Sequence, residues 1–277
     1  MRMANQRMDV DVPWCRSWER RTRLGLMIAV SLAAVAVLCF SPRVPLGPGY
    51  HHFADTRTIL EIPHFLDVLS NIPFVVVGVW GVFWLLRKSS HLSFVDPLEK
   101  LPYLIFFCGV AFTGVGSFWY HMAPGNSRLL WDLLPMTCSF MSMVTALIVE
   151  RISVKAGIRM LIPLLVFGLA SVAYWYFTET RGRGDYRFYL FVQFFPPLLL
   201  AMTIAFFPPR YTGTKYLAAA FIFYVLAKVL ELFDKQVYSF TGIVSGHSLK
   251  HVTAALSCYC ILLLLQRRRA VEGGGEV

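Results

Sequence analysis

The chain has 277 residues, of which 57% are hydrophobic, 15% aromatic and only 15% charged. Soluble domains carry about 25% charged residues, and here the apolar residues gather into long, nearly uncharged blocks, which excludes an ordinary soluble fold. The net charge of +10 sits mostly between the blocks, where basic residues orient a membrane chain and meet anionic lipid; with no basic and aromatic groove in view, nucleic acid is not an expected partner.

In chain order, residues 1–23 are polar, contain "RSWERRTR" and are expected to form a flexible cytoplasmic tail. Residues 24–40 are uncharged and end at the breaker "SPRVPLGPG". The leading region is long and the cleavage site unconvincing, so the stretch reads as an uncleaved signal-anchor helix rather than a signal peptide. Seven further apolar runs follow, near 66–86, 103–121, 130–149, 158–177, 187–207, 215–233 and 246–266. Each is long enough to cross the hydrocarbon. Backbone amides in lipid must bond within their own segment, so the runs should be helices. The loops are short, with Gly or Pro in "APGNSR", "RGRGD" and "PPRYTGT", and residues 267–277 form a short flexible tail. No stretch is long enough for a soluble domain, and no internal repeat is visible. Cys15, Cys39, Cys108, Cys138, Cys258 and Cys260 show neither disulfide nor zinc-ribbon spacing and read as small packing residues.

Eight spans place the N-terminal tail, 87–102, 150–158, 208–214 and the C-terminal tail on one side. That side holds Arg16, Arg20, Arg21, Arg23, Arg87, Lys88, Lys100, Arg151, Lys155, Arg210, Arg267, Arg268 and Arg269. The other side has far fewer: Arg43, Arg57, Arg128, Arg181, Arg183, Arg187 and Lys235. The bias makes both termini cytoplasmic.

Ionisable residues in or at the mouth of spans are expensive and are functional candidates. "GVGSFWYHMAPG" supplies Ser117 and His121, "RLLWDLLPM" supplies Asp132, "AKVLELFDK" supplies Lys228, Glu231 and Asp234, and "SGHSLKH" supplies His247 and His251. The topology puts all of them near the non-cytoplasmic face. Residues four apart share a helix face, so Ser117 pairs with His121 and His247 with His251. Two imidazoles at that spacing can share a zinc ion. A third from His121 would leave a fourth position for water, the arrangement of a catalytic site. The plain alternatives are interhelical hydrogen bonding by the histidines, packing for Ser117, a favourable first-turn position for Asp132, and a simple ion pair between Lys228 and Glu231.

Taken in order, "SNIPF", "GVGSFWYH", "WDLLPM" and "HSLKH" resemble the alkaline ceramidase family, whose wider superfamily includes the progestin and adiponectin receptors. The resemblance covers about 50–266, and the signal-anchor helix is extra to the family's seven spans. It implies an all-α integral membrane protein, a seven-helix transmembrane bundle of alkaline ceramidase type plus one extra N-terminal transmembrane helix. It also implies zinc on His121, His247 and His251, Ser117 and Asp132 as catalytic residues, and hydrolysis of the amide of ceramide-like lipids to a sphingoid base and a fatty acid. Asp132 then takes the water proton, and Ser117 serves the developing oxyanion. Ser117 as nucleophile with His121 as base is the alternative, but neighbours four apart on a rigid helix seldom align for that transfer. The family's acidic, calcium-binding segment corresponds here to "HHFADTRTILEIPHFLDVLSN". Asp55, Glu61 and Asp67 offer oxygen ligands for Ca2+ there. The acidic spacing departs from the family and His64 stands where related enzymes have a carboxylate, so Asp67 and Asn71 are expected to line the inner mouth instead. Glu231 is a candidate to orient a ligating histidine. Other readings are a receptor of the same superfamily with structural zinc, or a transporter or proton relay. A transporter would show repeats or helices broken at the midplane. The partner implied is a membrane lipid; no protein partner is evident.

Overall fold

The computed structural model describes residues 13–87, 90 and 93–271. Residues 1–12 of the expected tail, Lys88 among the basic loop residues, and 272–277 lie outside the described residues. The described chain is α-helical throughout its regular structure: α1 Pro13–Phe40, α2 Phe65–Leu69, α3 Ile72–Leu86, α4 Lys100–Met122, α5 Asn126–Arg151, α6 Val154–Glu179, α7 Arg187–Phe206, α8 Thr214–Leu232, α9 Asp234–Thr241 and α10 Gly246–Arg267. Among the described residues, seven helical segments are long and apolar enough to cross a membrane, and α8 with α9 makes an eighth if that bent pair counts as one span. Phe83, Phe112, Ile162 and Ile222 point outward, as expected of helices whose solvent is lipid rather than water.

Two boundaries differ from the sequence expectation. First, α1 starts at Pro13, so residues expected to belong to the tail are already helical. Second, the run expected at 66–86 is broken. α2 stops at Leu69, and α3 begins at Ile72 with Pro73 in its first turn. Proline has no N–H to continue the helix of α2. The run expected at 215–233 ends within a residue of where α8 does, at Leu232, and the chain turns there by 79° into α9, with Asp234 held by bonds to other segments described below.

α5 is the central helix, packed against α4, α6 and α7, while α10 packs against α8 and α3 and closes the bundle. α1 is peripheral, with 6% of its apolar stretch buried against 56% for α4 and α5. Its ends are nevertheless fastened. Arg20 donates to the Ile152 carbonyl at 2.8 Å and Arg23 to that of Phe206 at 3.0 Å, while Arg187 donates to the Ser41 carbonyl. α7 and α8 meet through side chains, with the Tyr224 hydroxyl donating to the Gln193 carbonyl at 2.9 Å. A cavity of about 180 Å³ lies inside the bundle. Cys39, Cys108, Cys138, Cys258 and Cys260 are free thiols.

Candidate metal centre

Helix ends bring the polar residues together. α4 delivers Ser117 and His121 in its last two turns, α5 delivers Asp132 in its second, and α10 delivers His247 and His251 in its first two. All five are buried. Two glycines permit this approach. A Cβ on Gly116 would stand 2.2 Å from the Trp131 carbonyl oxygen, and one on Gly246 would stand 2.3 Å from that of Leu230. Backbone therefore lies directly on backbone at both places. The first contact sets Ser117, next to Gly116, beside Asp132, and both line the same cavity. The second seats the start of α10 against the α8–α9 bend.

His121, His247 and His251 each offer one ring nitrogen, and these lie within 4.8 Å of one another. His247 Nε2 and His121 Nε2 are 3.2 Å apart. Among the described residues this is the one group of three or more His, Cys, Asp or Glu side chains placed to hold a metal ion. Ser70 fixes the ring of His251. Its hydroxyl donates to the Asp67 carbonyl at 3.1 Å and lies 2.8 Å from His251 Nδ1. With its proton so used, Ser70 accepts from Nδ1–H, and Nε2 keeps its lone pair for the centre. Phe53 covers the group, its ring centroid 4.5 Å from those of His121 and His247. One oxygen of Asp132 and Nδ1 of His121 are buried without a hydrogen-bond partner.

Around the centre, Asp234 accepts from the His247 amide at 2.8 Å and from the Ala54 amide at 2.9 Å. It thereby ties α10 and the segment before α2 to the α8–α9 bend. Asp67 accepts from the hydroxyls of Ser245 at 2.7 Å and Ser248 at 2.6 Å, anchoring the first turn of α10. Tyr120 bonds His51 Nδ1 at 2.8 Å, and His51 Nε2 lies 2.8 Å from the Asn126 side-chain oxygen. The cavity begins at this polar end, with Ser117, Asp132 and His251 in its wall. It continues along apolar residues such as Phe106, Val110, Met143, Leu147, Leu200 and Ile261.

The carboxylates considered for calcium do not converge. Asp55 is buried and bonded by both oxygens to Arg57, at 2.7 and 2.9 Å. Burial opposes its ionisation, but the Arg57 guanidinium and the Arg57 and Leu66 amides outweigh that, and its pKa falls below the ordinary carboxylate value. Asp67 serves Ser245 and Ser248. Asn71 does not line a mouth; it is buried and donates to the Asp67 carbonyl at 2.8 Å. Glu61 is exposed on a turn with a positive φ of 63°. Glu231 does not bond a histidine: it pairs with Lys228, three residues away, and accepts from Lys250 Nζ at 2.7 Å.

The sequence reading assigned no role to Ser70, Phe53, Lys250 or Asp234, although Ser70 lies in "SNIPF" and Lys250 in "HSLKH". Phe53 carries no local signal, since its partners are distant in the chain, and the motif around Ser70 does not name His251 as its partner. Lys250 had one: three residues after His247, it shares that helix face.

Long apolar helices, a buried three-histidine group and a cavity running from it into the bundle define a multi-pass membrane protein with a centre placed to hold a metal. The ceramidase family model matches residues 57–276, most of the chain and every helix after α1, and the protein belongs to that family. Membership implies a hydrolase of amide bonds with a lipid substrate. Comparison with curated proteins gives no match.

Proposed function

We propose that the protein is a zinc-dependent intramembrane hydrolase that cleaves the amide bond of ceramide-like lipids, releasing a sphingoid base and a fatty acid. Support comes first from one observation: three imidazoles meet at the polar end of a largely apolar cavity, with Ser117 and Asp132 beside them. The donor set suits zinc, which favours nitrogen ligands and keeps a fourth position open in catalytic sites. Two neutral imidazole nitrogens 3.2 Å apart also need a proton or cation between their lone pairs. Tetrahedral zinc at about 2.0–2.1 Å from each ligand sets nitrogens roughly 3.3 Å apart.

Bound by His121, His247 and His251, zinc would polarise the amide carbonyl and make water a strong nucleophile near neutral pH. The protein's own groups divide the remaining work. Asp132, with a free buried oxygen, takes the proton of the attacking water and returns it to the departing amine nitrogen. Ser117 donates to the carbonyl oxygen as negative charge builds there. Ser70 holds the His251 ring, and Phe53 shields the histidines on another side. The apolar wall takes an acyl chain, so the substrate need not leave the bilayer. Residues 50–266 form the catalytic unit in this reading and 24–40 an anchor. Both termini are cytoplasmic and the centre is near the opposite face.

The test is metal analysis and lipid hydrolysis on one purified sample. About one zinc per chain and release of fatty acid from an N-acyl sphingoid lipid are expected, and His247→Ala and His251→Ala should lose metal and activity together. Full turnover by metal-free protein would overturn the mechanism.

A further inference from the structure

The hydrolytic scheme leaves three charged side chains in the cavity wall unused. Lys228 and Glu231 come from α8 and Lys250 from α10, and all three line the polar end of the cavity with Asp132 and His251. Lys228 pairs with Glu231, and its ammonium lies 5.4 Å from the centroid of the Phe194 ring on α7. Lys250 Nζ is 2.7 Å from the second Glu231 oxygen and 3.5 Å from His247 Nε2. Charge inside a membrane helix bundle is expensive and marks a site. Two ammonium groups here share one carboxylate, and Asp132, the other carboxylate in the wall, forms an ion pair with neither of them. Neutral-headed ceramide offers these cations only hydroxyl and carbonyl oxygens, with no charge to match theirs.

Position narrows the ligand. Lys250 stands one contact from a histidine of the centre, so a group bound there sits within a few bonds of the amide that the centre holds. Lysine is a compact cation with three donors, suited to a phosphate or carboxylate oxygen. We propose that Lys228 and Lys250, spaced by Glu231, form an anion subsite that selects N-acyl lipids bearing a phosphate or carboxylate within a few bonds of the scissile amide. The inference rests on the hydrolase reading and narrows its substrate class. Glu231 keeps the two ammonium groups paired and in place before the lipid arrives.

The test uses the zinc-loaded full chain in mixed micelles with three substrates: an N-acyl sphingoid with a free primary hydroxyl, the same lipid phosphorylated at that hydroxyl, and an N-acyl amino acid. An anionic substrate should exceed the neutral one in kcat/KM by about tenfold or more, the scale of one charged hydrogen bond. The phosphate and carboxylate arms identify which anion is read. Lys228→Gln and Lys250→Gln should abolish the preference, and Lys228→Arg and Lys250→Arg should retain most of it. Equal or better turnover of the neutral lipid, with a ratio unchanged in the Gln variants, overturns the anion subsite and leaves the hydrolase standing. If no arm turns over, the hydrolase reading fails. Calorimetric binding of short-chain versions of the same lipids then decides the subsite: tighter anionic binding that the Gln variants lose supports it, and equal binding overturns it.

Discussion

At the scale of single residues, the centre depends on hydrogen bonds that hold rings in place as much as on the rings themselves. Ser70 bonds His251 Nδ1, and loss of such a partner typically weakens metal affinity by about 10–100-fold. Ser70→Ala should therefore bind zinc more weakly by that factor in a chelator competition, with an unchanged helical spectrum; equal affinity would remove its role. Asp132→Asn keeps the shape but not the base, so zinc content should stay near wild type while kcat falls by about 10²–10⁴-fold. An unchanged rate would remove Asp132 from the mechanism. Asp55 gives a pH signature. Its pKa is lowered in the fold, so it contributes stability above the ordinary carboxylate pKa, and that contribution is lost as pH falls through the lower folded value. Unfolding midpoints of Asp55→Asn and wild type should differ most above about pH 4 and converge below it. The histidines were legible because i, i+4 spacing is local and the topology put both polar helix ends on one face. Ser70 was not, since its partner is 181 residues away. Asp55 looked like a metal ligand because a carboxylate in sequence does not reveal that Arg57 will occupy it.

At the scale of helices, apolar composition locates the spans but is blind to where they break. The run containing α2 and α3 is apolar on both sides of the interruption, whereas the run expected at 215–233 stops within a residue of where α8 does, at Leu232. Pro73 and tertiary bonds set the first break, and tertiary bonds the second. Ser70 at the first faces His251 on α10, and Asp234 at the second holds the amides of Ala54 and His247. The α4–α5 contact shows how closely helix placement and chemistry are linked. A methyl group on Gly116 would meet the Trp131 carbonyl at 2.2 Å, and backbone cannot yield as a flexible side chain can. Gly116→Ala should destabilise by about 1–3 kcal/mol and move Ser117 away from Asp132. Activity per folded chain should then fall well beyond what the loss of folded protein explains. The check is thermal unfolding alongside turnover normalised to zinc-loaded protein. A stability loss with full specific activity would mean that Ser117 and Asp132 need no fixed spacing.

Across the whole molecule, buried polarity is split between the two ends of α10, about 33 Å apart at 1.5 Å per residue. One end carries the histidines. Just past the other, Arg268 is buried, donating to Glu150 at 2.8 Å and to the Ser93 carbonyl at 2.9 Å, with its guanidinium 4.0 Å from the centroid of the Tyr211 ring. Glu99 joins the network through Arg210 at 2.7 Å and the Tyr211 hydroxyl. Two cations and two carboxylates balance, and the cluster ties the end of α10 to α5, to the short helical turn before α4, and to the loop after α7. Sequence reading took Arg210 and Arg268 only as charges orienting the chain, since burial of Arg268 follows from helices that meet only in the fold. Removing one member of a buried ion pair leaves its partner uncompensated and costs about 3–5 kcal/mol. Arg268→Ala should thus lower the unfolding midpoint sharply, and Glu150→Gln, which keeps an acceptor for Arg268, should do so less. Neither substitution touches the histidines, so zinc content and turnover per folded chain should stay near wild type. Loss of zinc in Arg268→Ala at temperatures where the chain remains folded would show that the two ends of α10 are coupled, and that this network helps to set the centre rather than merely closing the bundle beneath it.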